Sequence, residues 1–238
     1  GEAMGLSVSI VAQVGPSRES IEDALGVLQA GIEYAGTVAF AVSAALLAGR
    51  RQMNIVGVVV FGVLVAVGGG TMRDVLLGDL PVYWIDDPMP LFVAAVAAAA
   101  TILLSRTGTL SLVRRYHLVR VSDSAGLAMF TILGTNIALD SGAGTVSAVV
   151  VGVIAGAGGG ILRDNLAGRI PEVLASGSLY ATAAILGSAI NIALLETSLW
   201  SPVASTIAVV FIFAIRLLSI HFHWGVPRFA VDQNDDGD

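Results

Sequence analysis

The chain has 238 residues, of which 55% are hydrophobic and 13% charged, and it contains no cysteine. A soluble domain carries about 25% charged residues, and one of this size could not hide so much apolar surface from water, so the composition points to a bilayer as solvent. The formal net charge of -6 excludes a basic nucleic-acid surface, and the missing cysteines exclude disulfides, thiolate metal sites and cysteine nucleophiles.

A bilayer core about 30 Å thick needs roughly 20 apolar residues as helix, and seven segments qualify. Residues 1–23 form an N-terminal segment without the basic n-region of a signal peptide. The first span runs from about Ala24 to Leu47, with Glu33 its only charge. The second runs from Asn54 to Gly78, and the third, rich in alanine, from Leu91 to Ser105. Residues 106–122 read as a basic loop carrying Arg114, Arg115 and Arg120. The fourth span runs from Ser124 to Leu139, with Asp123 at its start as a candidate N-cap. The fifth runs from Thr145 to Gly168, the sixth from Leu179 to Leu195 and the seventh from Val203 to Ile220. Arg216, near the end of the seventh, is expected to snorkel to the headgroups. Residues 221–238 form a tail that opens on His221-Phe222-His223-Trp224, an interfacial belt, and closes on acidic residues.

Loop charge gives the direction. In a seven-span chain Arg50, Arg51, Arg106, Arg114, Arg115, Arg120, Arg169 and Arg228 all fall on one side. The opposite side carries Asp79, Asp86, Asp87, Asp140 and Glu196, and only Arg18 among the basic residues. The positive-inside rule then puts the N-terminus outside and the C-terminus in the cytoplasm.

Shifted by 90 residues, the chain meets itself without gaps. Gly68-Gly69-Gly70 meets Gly158-Gly159-Gly160, Arg73-Asp74 meets Arg163-Asp164, Phe40 meets Phe130, and Glu33 faces Asp123. Between positions 33 and 81, 17 of 49 pairs are identical. A bias toward Ala, Gly and Val does not account for the Arg, Asp, Phe and Pro matches. Residues 24–105 and 123–195 are thus two copies of one three-helix unit, with an unmatched seventh helix over 196–220. Three is odd, so the second copy enters the membrane the opposite way. The fold class is an all-α membrane protein of seven transmembrane helices, two inverted three-helix repeats plus a seventh helix.

Each glycine costs about 1 kcal/mol relative to Ala inside a helix, so the triplets predict a kink or an unwound stretch. Unwound backbone at membrane depth is tolerated only where it is buried in protein or lines a wet cavity, which marks the pair of breaks as a midplane solute or ion route. The plainer reading is close helix crossing. Arg73, Asp74, Arg163 and Asp164 border that route, and neighbours in sequence point in different directions on a helix, so partners across the repeats or on the backbone are expected for them. Glu33 and Asp123 are candidates to attract cations. Thr37, Ser43, Thr71, Thr131, Thr135 and Asn136 are candidates to line the path. The cluster Arg114, Arg115 and Arg120 is a weak candidate for anionic lipid heads.

The segments GGGTMRDVLLGDLP and GGGILRDNLAGRIP, with GTVAFAVSAALLAG in the first span, resemble the bacterial membrane proteins of the UPF0126, or glycine transporter domain, family, which is similar to the TRIC cation channels. The resemblance covers about Ala24 to Ile220. It implies a homotrimer in which each protomer holds its own pore, with glycine-kinked second and fifth helices lining a path for monovalent cations, chiefly K⁺. The animal channels use lysines in lipid binding and voltage response. This chain has no lysine, so those roles do not carry over.

The leading expectation is a passive K⁺ channel without cofactor, its partners being lipids, monovalent cations and copies of itself. The alternative is an alternating-access carrier for a small solute such as glycine, whose carboxylate would sit at a half-helix N-terminus. No nucleophile–base pair, metal-ligand set or Walker motif supports an enzyme.

Overall fold

A computed structural model describes residues 18–49, 51, 53–106, 112–175 and 179–225, with the side chains of 18–25 and 112–116 excluded. The acidic tail, Arg50 and Arg228 lie outside the described residues, as do the side chains of Arg114 and Arg115. The described residues form eight helices: α1 (Arg18–Ala48), α2 (Ile55–Leu77), the single turn α3 (Tyr83–Asp86), α4 (Met89–Arg106), α5 (Leu112–Asp140), α6 (Thr145–Leu166), α7 (Tyr180–Leu195) and α8 (Ser201–Phe222). Each expected span falls on a helix. Five are long and apolar enough to cross a membrane: Gly26–Ala48 within α1, then α2, α4, α6 and α8. The chain is therefore an all-helical membrane protein.

Local sequence sets the helix ends. Asn54 caps α2, its side chain accepting from the Gly57 N–H at 2.7 Å. Gly78 leaves α2 in the left-handed region at φ 71°, and the Asp79 N–H returns to the Asp74 carbonyl at 2.9 Å. The end of α6 repeats this turn: Gly168 has φ 64° and the Arg169 N–H returns to the Asp164 carbonyl at 2.8 Å. Only glycine takes that conformation without strain, and the returning N–H satisfies a carbonyl the helix end leaves open. Pro202 opens α8, where its missing N–H is not needed.

Two departures from expectation concern α5. The segment read as a basic loop over 106–122 is helical from Leu112 onward. Asp123 is consequently no N-cap: it lies more than two turns inside α5 and is completely buried. A run of polar and charged residues hides a helix from an apolar count, and Arg120 in that run finds its partner Glu172 only in the tertiary structure.

The centre is built from close crossings. Helix α1 packs on α5, and α2 on α6. A Cβ on Gly69 would stand 2.1 Å from the Ala155 carbonyl oxygen, and one on Gly159 would stand 2.9 Å from that of Val65. The triplets are thus where α2 and α6 touch backbone to backbone. Both helices run through them without interruption. The expected unwound stretch is absent, because lost side chains let another helix approach rather than freeing the backbone.

These contacts are reciprocal under the shift of 90. Gly68 faces Leu162 and Gly158 faces Met72; Gly36 lies against Phe130 and Gly126 against Phe40. The two phenylalanine rings meet at 5.6 Å between centroids.

Candidate functional site

Two charged clusters flank the glycine crossing, one beyond each triplet. In the first, Arg73 leaves α2 one turn past Gly69. Its Nε donates to Asp74 Oδ1 at 2.7 Å, and its Nη1 reaches Glu33 Oε1 of α1 at 3.4 Å. Asp74 Oδ2 accepts from the Tyr83 N–H at 2.9 Å, which ties α3 to the end of α2. The Tyr83 ring lies beside Arg73, with Cζ 5.3 Å from its centroid, and its hydroxyl end covers Gly70. Burial first, then the Glu33 charge, pushes the Tyr83 hydroxyl well above the ordinary tyrosine value, so it stays neutral. Tyr34 donates to Asp87 at 3.2 Å nearby.

The second cluster is larger. Arg163 Nε donates to Asp164 Oδ1 at 3.0 Å, and its Nη1 to Asp123 Oδ1 at 2.8 Å and to Ser43 Oγ at 2.7 Å. Asp164 Oδ2 accepts from the Glu172 N–H at 3.0 Å. Glu172 also receives Arg216 Nη2 from α8 and Arg120 Nη2 from α5, each at 3.0 Å on one carboxylate oxygen. Tyr180 stacks under Arg216 at 4.5 Å and its hydroxyl end covers Gly160. Burial pushes the Glu172 carboxyl up, but Arg216 and Arg120 outweigh it and hold it below the usual glutamate range.

Three expectations change here. Arg73 and Asp74 do pair with each other, as do Arg163 and Asp164, because the long guanidinium arm folds back along the helix to meet its neighbour. Arg216 does not snorkel: it is fully buried on Glu172 and Tyr180. Arg120 turns inward onto Glu172 instead of presenting itself to headgroups.

The path-lining candidates divide. Thr37 is fully buried in the first half, where its hydroxyl faces that of Tyr83. Ser43 belongs to the second charge cluster. Thr71 donates to the Val67 carbonyl and accepts from Trp84 Nε1 at 2.9 Å. Thr131 lies against Gly156. Thr135 pairs with Ser188 at 3.0 Å, and Asn136 with Ser205 at 2.9 Å and Asn191 at 2.7 Å. That last set joins α5, α7 and α8, with Thr135 also lying against Gly152 of α6, and serves as interhelical glue. Sequence reasoning missed Glu172, Tyr83 and Tyr180. The two tyrosines do the same work, yet they stand 97 positions apart, so an alignment at 90 separates them.

Comparison with known proteins places this architecture. The glycine transporter family model matches twice, over residues 31–106 and 120–196. The chain is 43% identical over 206 residues to the UPF0126 inner membrane protein YadS of Escherichia coli K12, covering 85% of this chain and 97% of that protein. It is 34% identical over 194 residues to YvgT of Bacillus subtilis, covering 81% and 92%. Among solved structures it is similar to the TRIC trimeric intracellular cation channel orthologue of Rhodobacter sphaeroides, with a TM-score of 0.76, 34% identity and coverage of 82% and 97%. It is also similar to a prokaryotic TRIC channel in 0.5 M KCl, with a TM-score of 0.78, 28% identity and coverage of 84% and 99%. With both Arg-Asp pairs and both triplets inside the matched residues, the chain belongs to the UPF0126 family of glycine transporter domains, whose structural neighbours are the prokaryotic TRIC channels.

Proposed function

We propose that this protein is a passive channel for monovalent cations, chiefly K⁺, with one conduction path inside each protomer between α2 and α6. The observation that carries the reading is the likeness to solved cation channels over more than four fifths of the chain at 28–34% identity. The reciprocal contacts under the shift of 90 support two inverted repeats, because a local two-fold axis makes residue i meet j while j meets i. We take α5 and α7 to cross with the five strongly apolar helices, giving seven crossings with the N-terminus outside. The assembly is a homotrimer, as the Rhodobacter sphaeroides relative is named. Residues Gly68, Gly69 and Gly70 against Gly158, Gly159 and Gly160 form the occluded point of the path. Backbone contacts close it at Gly69 and Gly159, and the Leu162 and Met72 side chains pack on Gly68 and Gly158.

The test is purified protein in planar bilayers under K⁺ and Na⁺ gradients. Unitary currents are expected whose reversal potential is displaced from zero toward that of K⁺ without reaching it, since the sequence has no TVGYG-like filter and selectivity among monovalent cations is weak. The glycine transporter description of the matching family favours a second reading, an alternating-access carrier. Saturable solute uptake with no unitary conductance would establish the carrier and remove the channel.

A further inference from the structure

Helix α1 is longer than a bilayer needs. Counted back from Ala48, the roughly 20 residues that cross a core of about 30 Å end near Gln29, yet the helix runs on to Arg18. Glu33 and Tyr34, on Arg73 and Asp87, are where it meets α2 and the residue that follows α3. Beyond them a Cβ on Gly31 or on Gly26 would find no atom within 4 Å, and Val27 is 75% exposed. Most of this stretch also lies outside the family match, which begins at residue 31.

Such a helix is difficult to hold alone. An isolated helix of fewer than about 12–15 residues is marginal in water even when rich in alanine, and each of the two glycines costs about 1 kcal/mol relative to alanine. Support has to come from outside the protomer, and the apolar residues say in what form. Ile21, Leu25, Leu28 and Ile32 follow one another at intervals of four, three and four, the d-a-d-a order of a coiled-coil heptad. Between them stand acidic, polar and small residues such as Glu22, Asp23, Gln29 and Ala30. Leu28 is 38% exposed, and Ala35, the next seam position inward, is exposed as well. The seam therefore points away from the protomer's own helices, and the small side chain of Ala35 lets a neighbouring helix come close. Arg18, the next seam position outward, ends the apolar run.

We infer that residues 21–32 of α1 pack against the same residues of neighbouring copies, as a short parallel bundle on the outer face. Ile and Leu are mixed at the a and d positions, so they do not select a strand number. The membrane-embedded part selects it: the inference rests on the homotrimer reading, in which a three-fold axis points three copies of α1 the same way. Tethering to the assembled membrane helices raises the effective concentration of the segments to roughly the millimolar range, which lets a seam this short associate.

The experiment uses the full chain, which has no native cysteine. Single variants Leu25→Cys and Leu28→Cys, on the seam, and Val27→Cys, off it, are oxidised with copper phenanthroline in membranes and run on a non-reducing gel. The mass of each purified protein is measured by light scattering in parallel. Cross-linked pairs are expected at Leu25→Cys and Leu28→Cys, forming roughly tenfold faster than at Val27→Cys, since seam thiols share the raised effective concentration and outward ones meet only by collision. A disulfide needs Cα atoms within about 7 Å, so cross-links between identical positions also fix the helices as parallel. A trimeric mass without cross-links at either seam position, or with Val27→Cys cross-linking as readily, overturns the seam and leaves the homotrimer standing. A monomeric mass without cross-links overturns both. Seam cross-links on a mass other than three copies uphold the contact and overturn the homotrimer.

Discussion

At the scale of single residues, burial decides which charges hold the fold. Arg163 and its partners Asp123 and Asp164 are almost wholly enclosed. Removing one partner of a buried ion pair leaves the other charge uncompensated and costs about 3–5 kcal/mol. Arg163→Met should therefore lower the unfolding midpoint more than Arg73→Met, since it strands two buried carboxylates, Asp123 and Asp164, while Arg73→Met strands Asp74 but leaves Glu33 able to rehydrate through its open side. Equal losses in the two variants would contradict the difference drawn between the clusters. Glu172 makes a second prediction. Its carboxyl is held below the usual glutamate value by Arg216 and Arg120, so its stabilising effect is present above the unfolded value, roughly 4.3. That effect is lost as pH falls from there through the folded value. Midpoints measured from pH 6 to pH 3 should fall more steeply in the wild type than in Glu172→Gln, and parallel curves would refute the assignment. The sequence announced Glu33, Arg73, Asp123 and Arg163 as a repeated set, because charges in an apolar chain are conspicuous. It could not announce that Arg216 and Arg120 converge on Glu172. Those three lie 44 and 52 positions apart, and only the packing of α5 and α8 over the loop after α6 unites them.

At the scale of elements, the glycine triplets show how one signal supports two structures. A helix propensity scale sees three costly residues in a row, and the same residues permit two helices to touch. The structure takes the second course, and its consequence can be measured. Gly69→Ala would push a methyl into the Ala155 carbonyl oxygen, a backbone atom that cannot rotate away. Overpacking of this kind costs about 1–3 kcal/mol, occasionally more. Gly26, also on a helix, has nothing within 4 Å of its would-be Cβ, and Gly26→Ala should raise stability by up to about 1 kcal/mol through helix propensity. If both variants melt alike, the triplets are not the contact between α2 and α6. Helix positions were legible throughout, since each apolar run became a helix within a few residues of its expected ends. The early start of α5 was not. Its first turns carry polar residues that an apolar count passes over, and one contact that holds this part of α5 comes from another helix, Ser43 Oγ of α1 donating to the Val119 carbonyl at 3.0 Å.

At the scale of the whole molecule, the proposal of inverted repeats depends on whether α5 and α7 cross the membrane. Helix α7 has 16 residues, a length of roughly 24 Å at 1.5 Å per residue, which is short for a core of about 30 Å. Helix α5 does not match the apolarity of the other long helices. If only the five strongly apolar helices crossed, Asp140 would share a side with Arg51 and Arg106, and Arg169 would lie opposite them. With seven crossings Asp140 moves to the side of Asp86 and Glu196, and Arg169 joins Arg51 and Arg106. All six of these residues are exposed, and the chain has no native cysteine, so single cysteines can be introduced without a background. A membrane-impermeant thiol reagent applied to intact cells stripped of their outer membrane should label Asp86→Cys, Asp140→Cys and Glu196→Cys. Arg51→Cys, Arg106→Cys and Arg169→Cys should label only after permeabilisation. Labelling of Arg169→Cys from outside, with Asp140→Cys protected, would leave five crossings. The two halves would then share one orientation, and the reciprocal glycine contacts would need an explanation other than inversion.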